Sequence, residues 1–273
     1  MSYAVIMVYV DANGSPESRV RLSASLAGKF NANLIGLSAL PVPPPFVYDG
    51  AIIQQPTDAD ISATLAKLDA KGDWFRGIAD ANHARFEWRP VLDYPADALA
   101  REARSADLVI IGQMRGPGDT LGSLDPGEVL LKIGRPALVV PDGVSSLRAE
   151  HVIVGWKDTR EARRAIRDAL PFLHEASSVT VVEISDSGEE SIAQGHVEDV
   201  VRYLMRHRIK ALPRILSQQH GSGAAQLFKL AQETGADLIV TGAYGHTRLG
   251  EWFFGGVTRD LLANTTISCF MSH

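Results

Sequence analysis

The sequence predicts an α/β protein made of two tandem, doubly wound, five-stranded parallel sheets packed together as a pseudo-dimer. Three observations carry this. Short apolar runs alternate with helical patterns along the whole chain, as in parallel sheets covered on both faces. The phrase Ala106-Asp107-Leu108-Val109-Ile110-Ile111-Gly112 returns as Ala236-Asp237-Leu238-Ile239-Val240-Thr241-Gly242. The last apolar run of each half, Ala137-Leu138-Val139-Val140 and Ile267-Ser268-Cys269-Phe270, would leave a backbone edge open unless the two lie at a contact between the halves.

The first half opens with the apolar run Tyr3–Val10, which ends in Asp11 and turn residues and then enters a helix. Strands are expected near residues 3–10, 33–40, 86–92, 107–112 and 137–141. Residues 41–55, with Pro43-Pro44-Pro45, have no counterpart in the second half. They read as a solvated connection, with a lid or partner arm as the alternative. A long helix follows from about Asp58 to Ala84, with Gly72 and Gly77 as places where it could kink. The polar stretch Asp142-Gly143-Val144-Ser145-Ser146 divides the chain into domains of residues 1–144 and 148–273. In the second, strands are expected near 151–156, 179–184, 211–216, 236–241 and 267–271. Asp158-Thr159 ahead of Glu161 signals a helix start, and Ala165, Ala169, Leu170 and Leu173 make that helix amphipathic.

Composition narrows the function. The chain of 273 residues is 45% hydrophobic and 22% charged, ordinary for a soluble globular protein. A formal net charge of -5 gives no electrostatic reason to expect nucleic acid or an anionic membrane as partner. The single cysteine, Cys269, cannot form an intramolecular disulfide and sits in an apolar run, so it reads as a buried small hydrophobe in a reducing compartment. No signal peptide and no apolar run of membrane-spanning length is visible, and a cytoplasmic location is expected.

The chemistry points to one loop. From Gly242 to Thr258 the chain carries Gly242, Gly245, Gly255 and Gly256 between a strand and a helical pattern that opens near Thr258. Glycines let backbone N–H groups approach phosphate oxygens, and a helix start adds partial positive charge. With strand order 3-2-1-4-5 in each half, the winding reverses between strands 1 and 4, where open α/β sheets hold ligands. The loop closes strand 4, and Trp156-Lys157-Asp158 closes strand 1.

These phrases resemble the universal stress protein family, and the chain looks like two UspA-type, Rossmann-like domains in one polypeptide. The resemblance covers nearly the whole chain apart from the proline loop. It rests on Val10-Asp11-Ala12-Asn13-Gly14-Ser15-Pro16-Glu17-Ser18, Trp156-Lys157-Asp158-Thr159-Arg160-Glu161-Ala162, the paired Ala-Asp-Leu strands, the loop from Gly242 to Thr258, and the ending Phe270-Met271-Ser272-His273. ATP-binding members carry a loop G-x2-G-x9-G-S/T whose final hydroxyl and nearby amides hold the phosphates. An acidic residue at the end of strand 1 contacts adenine or ribose. Gly242-x2-Gly245-x9-Gly255 fits that loop, but Gly256 stands where the hydroxyl is expected. Val257 follows it, and Thr258 matches a further hydroxyl position near the phosphates. Lys157 occupies the acidic position, either to reach a phosphate or as a turn residue, and Asp158 follows either as part of the site or as a helix cap. In the first half Asp11 fits the acidic position, although aspartate at such a turn is often only a turn former. Its loop starts at Gly112, has Arg115 in place of the second glycine, and carries Pro117 and Pro126. That half reads as scaffold, with Arg115 as a means of binding an anion in another geometry.

No catalytic apparatus stands out. His246 reads as a loop histidine, and the remaining histidines show no metal-ligand spacing. There is no Gly-Lys-Ser/Thr and no Gly-x-Ser-x-Gly. Trp252-Phe253-Phe254 reads as core packing. The resemblance implies a stress-related regulatory protein that binds ATP or a related adenine nucleotide, with magnesium as companion ion, and hydrolyses it slowly at most. The competing expectation is a scaffold without nucleotide that works through self-association or a protein partner.

Overall fold

The computed structural model describes residues 2–14, 16–42, 45–48, 51–114, 123–218, 221–245 and 256–273. Each half begins with the central strand of its sheet. In the first half Val5–Tyr9 (β1) pairs in parallel with Asn33–Ala39 (β2) on one side and Leu108–Gly112 (β6) on the other. Phe86–Val91 (β5) adds beyond β2, and Ala137–Val140 (β7) beyond β6. In the second half His151–Trp156 (β8) lies between Ser178–Ser185 (β9) and Leu238–Gly242 (β11), with Ala211–Ser217 (β10) and Ser268–Ser272 (β12) outside them. Both halves therefore have the order 3-2-1-4-5.

The two sheets are fused as well as packed. β7 and β12 pair antiparallel, with Cys269 opposite Val139 and Phe270 opposite Leu138, giving one sheet ordered β10-β9-β8-β11-β12-β7-β6-β1-β2-β5. Each apolar last strand thus covers the other's edge. The outer edge strands, β5 and β10, carry Pro90 and Pro213, which cannot donate to a further strand.

Helices cover both faces. Glu17–Phe30 (α1), Asp58–Ala81 (α2), Arg160–Glu175 (α5) and Glu190–Arg206 (α6) lie on one face. Pro95–Glu102 (α3), Pro126–Lys132 (α4), Gly223–Thr234 (α7) and Gly256–Asn264 (α8) lie on the other. α2 starts on a Thr57–Asp60 capping box and ends at Ala81, three residues short of the expected end. Gly72 lets it approach β5, since a β-carbon there would fall 2.5 Å from the Trp88 indole nitrogen.

The proline segment departs from its reading as a plain connection. Phe46–Tyr48 (β3) and Ala51–Gln54 (β4) form an antiparallel pair. The sequence held the signal, Asp49-Gly50 between two apolar runs.

The halves also meet on both faces. On one, Tyr3 and Phe30 form an aromatic chain with Phe172 and Phe270, centroids 5.0 to 6.0 Å apart. The Tyr3 hydroxyl donates to the Asp168 carbonyl at 2.7 Å. On the other, the Met114 N–H donates to the Leu262 carbonyl at 2.8 Å. Cys269 is fully buried, and burial pushes its thiol up to about 12, so it packs as a hydrophobe. Among the described residues no helix is long and apolar enough to cross a membrane.

Candidate functional site

After β8 the chain crosses through α5 to β9, and after β11 it crosses through α8 to β12, on the opposite side. The carboxyl ends of β8 and β11 diverge there and leave a crevice. A cavity of about 230 Å³ occupies it. Val182, Ile184 and Leu227 give it apolar walls. Gly242, Gly245, Gly256, Val257 and Thr258 also line it, and Lys157 stands at the end of β8.

The glycines serve different purposes. A β-carbon on Gly242 would lie 2.6 Å from the Ala162 backbone nitrogen, so Gly242 lets the end of β11 rest on the start of α5. A β-carbon on Gly245 would lie 3.0 Å from the Thr159 hydroxyl and 3.2 Å from a Glu161 carboxylate oxygen. Gly256 opens α8, and a β-carbon there would meet nothing within 4 Å. Gly255, His246 and Trp252-Phe253-Phe254 lie outside the described residues.

Thr258 is buried, and its hydroxyl accepts the Tyr244 N–H at 3.2 Å, fastening the loop's departure from β11 to α8. Tyr244 has φ 58, and burial, aided by Asp125, pushes its phenol up to about 12. Its hydroxyl reaches the first half, 2.6 Å from where a β-carbon on Gly127 would sit.

Lys157 is exposed and makes no side-chain hydrogen bond or ion pair with the described residues. It is the one formally charged side chain lining this cavity among them. Asp158 is placed elsewhere. It pairs with Arg163 at 2.6 Å and lines a separate cavity between α5 and α6, beyond Trp156. Nor is it the helix cap: Thr159 accepts the Ala162 N–H at 3.3 Å. Behind Gly245, Glu161 is buried against Arg160. Burial raises its carboxyl, but Arg160 and nearby hydrogen bonds outweigh that and hold it below the ordinary value. Positive helix ends, Lys157 and no lining carboxylate make the cavity a place for an anion.

The corresponding crevice of the first half is nearly closed. Its cavity is about 30 Å³, lined by Asp11, Arg19 and Gly112 among others. Arg19, 6% exposed, fills it: a β-carbon on Gly112 would lie 2.1 Å from the guanidinium. Arg19 is the third residue of α1, as Ala162 is of α5. Asp11 forms a turn, its carboxylate accepting the Asn13 N–H at 2.8 Å. Arg115 lies outside the described residues. Sequence reading gave no site role to Arg19, Thr159, Ala162 or Tyr244. Aligning the two helix starts would have exposed the Arg19–Ala162 difference.

No curated protein matches the sequence. The sequence profile of the Universal stress protein family matches residues 148–273. A universal stress protein from Archaeoglobus fulgidus has a similar structure with a TM-score of 0.75, at 14% identity over 97% of each chain. A functionally unknown protein from Pseudomonas aeruginosa gives 0.60, at 13% identity over 99% of this chain and 92% of its own. A universal stress protein from Archaeoglobus fulgidus, solved in complex with dAMP, gives 0.36, at 22% identity over 51% of this chain and 98% of its own. Residues 148–273 thus match the Universal stress protein family, and the chain as a whole shares the fold of the full-length universal stress protein from Archaeoglobus fulgidus.

Proposed function

We propose that the second half binds an adenine nucleotide, with ATP as the ligand its loop spacing points to, and that the protein acts in the cytoplasm as a ligand-dependent regulator in stress response. The observation that carries this reading is the open crevice at the switch point. It is about 230 Å³, lined by the apolar Val182, Ile184 and Leu227, by glycines and by the start of α8, with Lys157 as its charged wall. The base packs on the apolar side chains of β9. The phosphates lie over Gly242, Gly245, Gly255, Gly256, Val257 and Thr258. Asp158 plays no part in this arrangement, being tied to Arg163.

Magnesium finds hydroxyls here, from Thr159 and Thr258, but no carboxylate among the described lining residues. It would therefore arrive with the phosphates rather than be held by the chain. No group of three or more potential metal-ligating side chains occurs among the described residues.

Titration calorimetry of the full chain with ATP tests the reading, and one site per chain is expected. Gly245→Val should abolish the heat, because the new side chain enters the space beside Thr159. Unchanged ATP affinity in a folded Gly245→Val variant would rule out this placement. The second reading, a scaffold acting through protein contacts, draws support from Gly256, where the family's hydroxyl is missing. A parent chain that binds no nucleotide would favour it.

A further inference from the structure

We propose that the ligand of this crevice carries a second phosphate on its ribose, at the 2′ or 3′ position, and that Lys157 receives it. The inference rests on the nucleotide reading above and specifies which nucleotides the site prefers.

The strand order fixes positions along the cavity. β9, β8 and β11 are successive neighbours, about 4.8 Å apart. Val182 and Ile184, on β9, are apolar lining residues, and Gly242, on β11, lies about 10 Å away across two strand spacings. A nucleoside 5′-phosphate spans that separation with its sugar over the end of β8, and the residue there is Lys157. Where a ribose hydroxyl is to be recognised by acceptance of its proton, a carboxylate serves. Where the hydroxyl is phosphorylated, a cation does. No carboxylate lines this cavity among the described residues, and the adjacent Asp158 is held by Arg163 on the far side of Trp156. Lys157, with no ion pair among those residues, presents an ammonium to the sugar edge. An ammonium there gains a charge-assisted hydrogen bond from a phosphate and little from a hydroxyl.

The test is calorimetric titration of the full chain with AMP, adenosine 2′,5′-bisphosphate and adenosine 3′,5′-bisphosphate, for the parent and for Lys157→Met and Lys157→Asp. One of the two bisphosphates should bind the parent about tenfold more tightly than AMP, as one charge-assisted contact at a partly exposed site allows. The preferred isomer identifies the phosphorylated hydroxyl. Lys157→Met should reduce that ratio to about one by weakening the preferred bisphosphate more than AMP, and Lys157→Asp should reverse the preference. Equal affinity of the parent for all three ligands would overturn the inference and leave the nucleotide reading standing. If Lys157→Met weakens AMP as much as the bisphosphates, Lys157 serves the 5′-phosphate and the inference also falls. A parent that binds none of these ligands, nor ATP, removes the nucleotide reading and this inference together.

Discussion

Replacing Gly127 with alanine should disturb the second half's loop from within the first half. The new β-carbon would stand 2.6 Å from the Tyr244 hydroxyl and 3.2 Å from an Asp125 carboxylate oxygen. The tyrosine cannot easily swing away. Its backbone is held at φ 58 with its N–H on Thr258, and its oxygen is the far end of a rigid ring. Overpacking of this kind costs about 1–3 kcal/mol. Alanine's better helix propensity near the start of α4 returns up to about 1 kcal/mol. The net loss should be about 1–2 kcal/mol, or roughly 2–8 °C in Tm at most for a chain of 273 residues. Tyr244→Phe removes the obstructing oxygen and by itself should cost no more than about 1.5 kcal/mol. In the double variant the clash is gone and the propensity gain remains, so its stability should equal or exceed that of Tyr244→Phe by up to about 1 kcal/mol, a coupling of about 1–3 kcal/mol. Denaturant unfolding of the four proteins, with ATP titrations on each, measures both stability and the loop. Single effects that simply add, within about 0.5 kcal/mol, would refute the claim that Tyr244 carries contact between the halves.

Gly256→Ser places a hydroxyl where a β-carbon meets open space, and should tighten ATP binding about tenfold by calorimetry. Parent and variant equally silent would favour the scaffold reading. Ala162→Arg should reproduce in the second half the closure that Arg19 gives the first, and titration should find ATP binding lost while cooperative unfolding persists. Undiminished affinity would show that the ligand lies elsewhere. Burial raises the Asp168 carboxyl above its ordinary value, against the hydrogen bond from Ser272 and the charges of Arg167, Arg164 and Arg135. The folded protein therefore holds that proton to higher pH than the unfolded chain does. Its stabilising contribution is full below the unfolded pKa, about 3.9, and is lost as pH rises through the raised folded value. Asp168→Asn keeps an acceptor for Ser272 and removes the titration, so urea unfolding should show the variant gaining on the parent as pH rises from about 4 to 7. A difference constant across that range would contradict the assignment.

The sheet was legible because burial on both faces leaves a plain mark. Strands such as Leu108–Gly112 and Leu238–Gly242 are almost entirely apolar, and their repetition revealed the second half. The meeting of β7 with β12 followed from edge chemistry, since two apolar last strands needed cover. Side-chain direction was not legible. Lys157 and Asp158 are adjacent in sequence, yet one lines the crevice and the other pairs with Arg163 beyond Trp156. Successive side chains leave a strand end on opposite faces, so adjacency said little about which would share the site. The glycine spacing marked the loop without separating the purposes of its members. Only the approach of α5 to β11 shows that Gly242 is required by packing, whereas Gly256 is unconstrained.

One difference between the halves is side-chain volume at the third residue of one helix. Alanine there leaves room beneath the carboxyl ends of β8 and β11, whereas arginine fills the equivalent space beside Gly112. A filled crevice is not an idle half. β12, buried throughout, has β7 on its free edge, and the Leu262 carbonyl of α8 is met by Met114. Tyr244, one residue before Gly245, lies against Gly127 at the start of α4. Three contacts from the closed half thus reach the strand, the helix and the loop that frame the open one. A buried arginine on the closed side adds side chain where a mobile ligand would otherwise have to fill space, so that support does not depend on occupancy. One crevice stays open while its counterpart is closed by its own residue, and the closed half supports the frame of the open one.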